Sequence, residues 1–178
     1  MNDITSPVAI RPEATADYGP VRKLNKKAFK GNSESKLVDA LREADDFIPA
    51  LSLVAEKDGV VVGHILFSPV KIKDQAGETP ALALAPMAVL PEFQGQGIGA
   101  ALVKRGLAEA GRAGHKIVVV VGHPEYYPRF GFVKAGEKGL KLPFEAQDEV
   151  FMALELVPGA LAGVHGEVVY PRAFHEVT

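Results

Sequence analysis

The chain has 178 residues, 47% apolar and 24% charged, the profile of an ordinary soluble globular protein able to bury a core without covalent staples. Twenty Lys plus Arg against 22 Asp plus Glu leave a net charge of −2, which gives no support to a generically basic nucleic-acid surface or to an anionic-membrane surface. There is no cysteine, so disulfides, thiolate catalysis and cysteine-ligated metals are excluded. Met1 to Pro7 lacks the basic start and apolar run of a signal peptide, and no apolar stretch is long enough to span a bilayer. The expected location is the cytoplasm.

Pro7 to Arg11 reads as a first strand. Thr15 is placed to cap a helix on which Val21, Leu24 and Ala28 form one face. Gly31 and Asn32 interrupt, and Ser33 is placed to cap a second helix with Leu37, Val38 and Leu41 facing inward. Leu51, Leu53 and Ala55 alternate as one face of a strand. Asp58-Gly59 signals a hairpin, because glycine tolerates the positive φ such turns need. A long strand follows, Val60 to Lys73, with a bulge expected at Gly63. Asp74 to Gly77 turns the chain back into Ala81 to Leu90. Pro86 cannot donate to a ladder, so this strand is expected to break or lie at an edge there.

A glycine-rich loop leads into a helix from about Gly97 to Ala113. Ile98, Leu102, Val103, Leu107 and Ala110 mark its buried stripe, and Gly114 fits as its terminator. The β-branched run Ile117 to Val121 reads as a parallel strand covered on both faces, which completes a strand–helix–strand crossover. His123 to Phe130 reads as a short helix with Pro124 in its first turn. Glu149 to Val157 is the last clear strand, and the apolar run Val168 to Tyr170 is expected to add an edge strand. The order predicts an α/β fold of the mixed-sheet (α+β) kind: an antiparallel meander, then a crossover. One domain over 1–178 is expected, with a core of about 7–157 and a C-terminal extension of 158–178.

The loop Gln94-Gly95-Gln96-Gly97-Ile98-Gly99-Ala100 joins a strand to a helix. Its glycines let backbone N–H groups approach a bound group, and the helix start adds free donors and the positive end of the macrodipole. Such a cradle suits a pyrophosphate. The Gly-Lys-Ser/Thr of a P-loop does not follow, and Gly95, Gly97 and Gly99 are spaced G-x-G-x-G, not G-x-G-x-x-G. A tight turn with no ligand is the alternative reading of the glycines alone.

The loop matches the Gln/Arg-x-x-Gly-x-Gly/Ala signature of the GNAT acetyltransferase superfamily at Gln94, Gly97 and Gly99, preceded by Met87-Ala88-Val89-Leu90-Pro91. Tyr127-Pro128-Arg129-Phe130-Gly131-Phe132 resembles the superfamily's tyrosine four residues before a Gly-Phe pair. Gly63 to Val70, Gly122 to Phe132, Met152 to Leu156 and Pro158 to Leu161 are similar to the YhbS-like branch. The resemblance covers nearly the whole chain and implies the GNAT acyl-CoA N-acyltransferase fold with splayed central strands. It implies acetyl-CoA as cosubstrate, with Met87, Ala88 and Val89 supplying backbone groups to the pantetheine arm and Gln94 to Ala100 holding the phosphates.

By the same resemblance, the Val89 N–H stabilises the oxyanion and Tyr127 is the general acid on the leaving thiolate. Tyr126 is expected to pack or to face the cofactor. The acceptor groove is expected to include Phe29, Glu34, His64, Phe67 and the tail from Tyr170 to Phe174. His64, Glu34, His123 and Glu125 are the candidate bases, although a lone His on an apolar strand, as His64 is, is more often structural. Lys104 and Arg105 either face the phosphates or are solvated. The five histidines are scattered, so no metal site is expected. The implied function is N-acetylation of a primary amine by a monomer or homodimer. The alternatives are a non-catalytic acyl-CoA-binding sensor of the same fold and a nucleotide-binding domain.

Overall fold

Among residues 6–176, which the computed structural model describes, nine strands join in one mixed sheet. The first four, β1 (Ala9–Pro12), β2 (Ser52–Lys57), β3 (Val60–Asp74) and β4 (Gly77–Val89), form the expected antiparallel meander. Helices α1 (Tyr18–Phe29) and α2 (Ser33–Arg42) lie between β1 and β2. Asp58 and Gly59 take φ of 51° and 78°, the two positive values that a tight two-residue hairpin requires. At the next turn Asp74 Oδ1 accepts the N–H groups of Ala76 and Gly77 at 2.8 and 3.1 Å.

The expected caps differ. Thr15 lies inside a short 3-10 turn, and its neighbour Asp17 closes that turn by accepting the Ala14 N–H at 2.7 Å. Arg11 holds Asp17 in place with two hydrogen bonds, so an ion-paired carboxylate accepts a backbone N–H at this turn where a hydroxyl was expected to. Ser33 is the first residue of α2 and not its cap.

The bulge near Gly63 is present. Ala55 faces Gly63 and Glu56 faces Val61, which leaves Val62 as the extra residue. Packing also favours a glycine at 63, since a Cβ there would lie 2.9 Å from Leu102 Cδ1 of α3 (Ile98–Arg112) and force that side chain to shift. A second irregularity sits at Pro86: Met87 faces Ile65 and Leu84 faces Phe67, so Ala85 and Pro86 together oppose Leu66.

Strand β5 (Ile117–Val121) pairs with β4 in parallel only at Leu82/Val118 and Ala83/Val119. Beyond those two positions the strands part, as the resemblance implied. On its other side β5 runs antiparallel to β8 (Phe151–Glu155), so the β-branched run marks burial and not a wholly parallel context. Between them in the chain come β6 (Val133–Lys134), which pairs with the far side of β8, and β7 (Leu140–Lys141). The expected helix His123 to Phe130 is instead a turn followed by a 3-10 turn, Tyr127–Phe130, whose early proline is Pro128 and not Pro124. The last strand, β9 (Gly166–Val169), runs antiparallel to β3 and parallel to β7. The expected edge strand is therefore flanked on both sides. A short helix, α4 (Ala173–Glu176), follows.

The sheet separates two layers. Leu53, Ile65, Phe67, Leu84 and Val120 pack with Leu102 and Val103 of α3. On the opposite face Val54, Leu66 and Ala88 meet Val21, Leu24 and Val38 of α1 and α2. Beside them Ala83, Val119 and Phe151 meet Leu161 and Val168 of the C-terminal extension. Each large side chain buried this way contributes about 1.5–3 kcal/mol.

His64 sits under α1 and α2 in a polar cluster. It is 0% exposed, with Nε2 2.9 Å from Ser52 Oγ and 3.7 Å from Glu13 Oε2. Arg42 binds Glu13 at 2.8 Å and lies 3.9 Å over the Tyr18 ring. Burial drives the His64 pKa down to about 4 against the ordinary 6.5. As pH falls through that window the unfolded chain takes up a proton that the folded chain refuses, so stability is lost. The expected loss between pH 7 and pH 4.5 is on the order of 2 kcal/mol, read as a fall in the urea midpoint. Glu13 and Asp17 are held below their ordinary values of 4.5 and 3.8, so their contributions are lost mainly at lower pH. An unchanged midpoint down to pH 4.5 would contradict the buried neutral His64.

Candidate active site

Where β4 and β5 part, a cleft of about 980 Å³ opens. On the α3 side it is lined by Gln94, Gly95, Gly97, Ile98, Gly99, Ala100, Tyr126 and Tyr127. Toward α1 and α2 it is lined by Phe29, Glu34, Leu37 and Phe174. Leu84 to Val89 run along its wall.

The direction of the β4 backbone follows from its ladder. Leu90 N–H donates to Val62 O at 2.9 Å, so Leu90 and Ala88 turn their backbone groups to β3. Alternation then turns those of Met87 and Val89 the other way, toward the opening left by β5. Ala88, expected to offer its backbone to a ligand, is committed to β3 and only lines the cleft. Gln94 Nε2 donates to Val89 O at 3.0 Å and ties the loop to the end of β4.

Gly95 and Gly97 take φ of +77° and +83°, and Gly97 stands at the N-terminus of α3. The free N–H groups of the first helical turn therefore open onto the loop. At Gly99 a Cβ would lie 2.9 Å from the Tyr126 hydroxyl, so the glycine admits that ring beside the helix. Gln96 is exposed and lies outside the cleft lining, unlike its neighbours. Lys104 and Arg105 are exposed and also outside it, with Arg105 paired to Glu109 at 3.0 Å.

Tyr127 is 7% exposed. Its ring meets Phe132 and Tyr126 edge-on, with centroids at 5.6 and 5.1 Å. Gly122 leaves its flank open, because a Cβ there would collide with the ring. Burial, with a smaller push from Tyr126, raises the Tyr127 hydroxyl pKa to about 12, so it stays protonated through neutral and mildly alkaline pH. Arg129 also lines the cleft and stands 4.7 Å over the Tyr126 ring. The sequence motif contains Arg129 but does not give it a place in the site. Gly122 gave no signal, since its role appears only when Tyr127 folds back on it.

The expected acceptor residues divide. Phe29 and Glu34 line the cleft. His64 and Phe67 do not: both are 0% exposed, His64 under α1 and α2 and Phe67 against α3. Strand alternation sends successive side chains of β3 into opposite layers, and the helices cover both. Of the candidate bases, His123 lines the cleft with Glu34, while Glu125 lies outside its lining. From the tail, Phe174 lines the cleft, and Tyr170 lines a neighbouring cavity. Among the described residues no three His, Cys, Asp or Glu side chains are grouped to hold a metal ion. No helix among them is long and apolar enough to cross a membrane.

A parted β4–β5 pair with a glycine-lined helix start at its mouth is the architecture of an acyl-CoA-dependent acyltransferase. The chain belongs to the Acetyltransferase (GNAT) family, whose model matches residues 19–132. It is 39% identical over 135 residues to the uncharacterized N-acetyltransferase YjhQ of Escherichia coli K12, covering 75% of each chain. It is 36% identical over 167 residues to the uncharacterized N-acetyltransferase YhbS of the same organism, covering 93% of this chain and 98% of the relative. The crystal structure of E. coli YhbS in complex with CoA superposes with a TM-score of 0.89, covering 98% of this chain and 96% of that one. A GNAT family acetyltransferase from Brucella melitensis in complex with acetyl-CoA gives a TM-score of 0.77 at 36% identity, covering 95% and 99%.

Proposed function

We propose that the chain transfers the acetyl group of acetyl-CoA to a primary amine by direct attack on the thioester. One observation carries the assignment of residues: the outward-facing backbone of Met87 and Val89, the positive-φ glycines before α3 and the buried hydroxyl of Tyr127 all border one cleft. The bound cosubstrate supplies an activated acyl carbonyl and a thiolate leaving group.

On this reading Gly95, Gly97, Ile98, Gly99 and Ala100 offer N–H groups to the pyrophosphate, and Arg129 offers charge at the same mouth. Gln94 acts by fixing the loop to β4. Met87 and Val89 hold the pantetheine arm. The Val89 N–H stabilises the carbonyl oxygen as charge develops, a donor worth about 2.7–4 kcal/mol in comparable sites. Tyr127 donates a hydrogen bond to the departing sulfur and then its proton. With a hydroxyl pKa of about 12 it gives up that proton to a thiol of ordinary pKa about 8.5 only as the proton of the attacking amine arrives to replace it. The proton given up by the attacking amine restores it. The amine enters as a cation from the side of Phe29 and Glu34, whose carboxylate favours it at that mouth, and releases one proton to solvent before its neutral form attacks. The reading implies a cytoplasmic enzyme.

Thermal unfolding tests the donor. Acetyl-CoA is expected to raise the melting temperature, and ATP or NAD at the same concentration is not. No shift with acetyl-CoA would sink the assignment.

A further inference from the structure

A second cavity, of about 440 Å³, adjoins the cleft on the face away from α3. Leu84, Ala85, Val121 and Phe174 line both spaces, so the two meet where β4 and β5 part. The far wall is aromatic. Phe144 and Tyr170 have ring centroids 6.0 Å apart, and Tyr170 and Phe174 5.0 Å apart. Ala83 and Val119 form its floor, His175 also lines it, and among the described residues no Asp or Glu does. Phe144 is 51% exposed, a large apolar side chain left at the rim.

We infer that this cavity receives the non-reacting part of the amine acceptor, which is therefore a primary amine bearing one charge and an aromatic or bulky apolar substituent. The inference rests on the acetyl-transfer reading of the cleft and gives it a substrate class. The amine nitrogen reaches the point where the strands part, and its substituent turns between the three rings. A second ammonium in the same place would be desolvated beside His175, with no Asp or Glu among the described lining residues to pair it. Diamines, polyamines and aminoglycosides are thus disfavoured. The rings supply area and edge-to-face contacts instead. Tyr170 and Phe174 belong to the C-terminal extension and Phe144 to the connection between β7 and β8, so the extension shapes the substrate as well as completing the sheet.

The test is calorimetric titration of phenethylamine, ethylamine and putrescine into the full chain loaded with CoA, beside CoA-release assays with acetyl-CoA and the same amines. Phenethylamine is expected to bind at least tenfold more tightly than the other two, as a hydrophobic pocket discriminates. Phe144→Ala, at an exposed position, is expected to remove most of that preference by weakening phenethylamine. Equal affinities, or a preference untouched by Phe144→Ala, would overturn the pocket assignment while leaving acetyl transfer to other amines intact. Selective binding of phenethylamine without release of CoA from acetyl-CoA would leave the pocket standing and remove the transfer reading.

Discussion

Tyr127→Phe is expected to lose about 10²- to 10⁴-fold in kcat, the range for a positioned acid, with little change in affinity for acetyl-CoA. The variant deletes only the hydroxyl. Its ring still packs on Phe132 and Tyr126 and still fills the space beside Gly122. A fall in kcat at unchanged acetyl-CoA affinity therefore reports the chemistry at the sulfur and not a collapsed cleft. The pH profile gives a second reading. Since Tyr127 holds its proton up to about pH 12, the wild-type rate should rise as the amine deprotonates and show no descending limb from this group below about pH 11. A variant with wild-type kcat would remove Tyr127 from the mechanism.

Gly97→Asp is expected to weaken binding of acetyl-CoA by about a hundredfold or more, with the fold retained. A Cβ added at Gly97 would meet no atom within 4 Å, so the side chain has room. Its φ of +83° is one that Asp tolerates better than most residues, at a cost of about 1–3 kcal/mol. A carboxylate at a helix N-terminus also favours the helix. The same carboxylate faces the proposed phosphates, and a unit charge a few ångströms away at a surface-like dielectric costs about 3–4 kcal/mol. Gly97→Ala supplies the control, since it carries the backbone strain without the charge. Affinity within a few-fold of wild type in the Asp variant, measured by calorimetry, would move the phosphates elsewhere.

Features encoded locally were legible in the sequence. Asp58-Gly59, the stripe from Ile98 to Ala110 and the glycine turn into α3 each depend on neighbours in the chain, and the hairpin, the buried stripe and the helix start each form as read. Pro86 signalled a lapse in pairing, although not that Ala85 and Pro86 together would face Leu66. What failed depended on partners far away. Ala88 and Val89 look equivalent in the sequence, yet the register of β3 turns one backbone into the ladder and the other toward the cleft. His64 and Phe67 lie near the cleft in sequence terms, but the parity of β3 puts one under α1 and α2 and the other under α3. The tail read as an edge strand because nothing local announces that β7 covers its outer side. The pocket of Phe144, Tyr170 and Phe174 was visible only at one end, since Phe144 lies 26 residues before Tyr170 and β9 brings the two segments together.

A cleft that moves an acetyl group, rather than only holding its carrier, releases a thiol at each turnover. The chain has no cysteine, so a thiol reagent added to the protein, acetyl-CoA and a panel of amines reads released CoA without interference. Amine-dependent thiol release that Tyr127→Phe suppresses is the expected result. Binding of acetyl-CoA, seen as a raised melting temperature, with no thiol released by any amine would contradict acetyl transfer and leave a sensor in place of an enzyme.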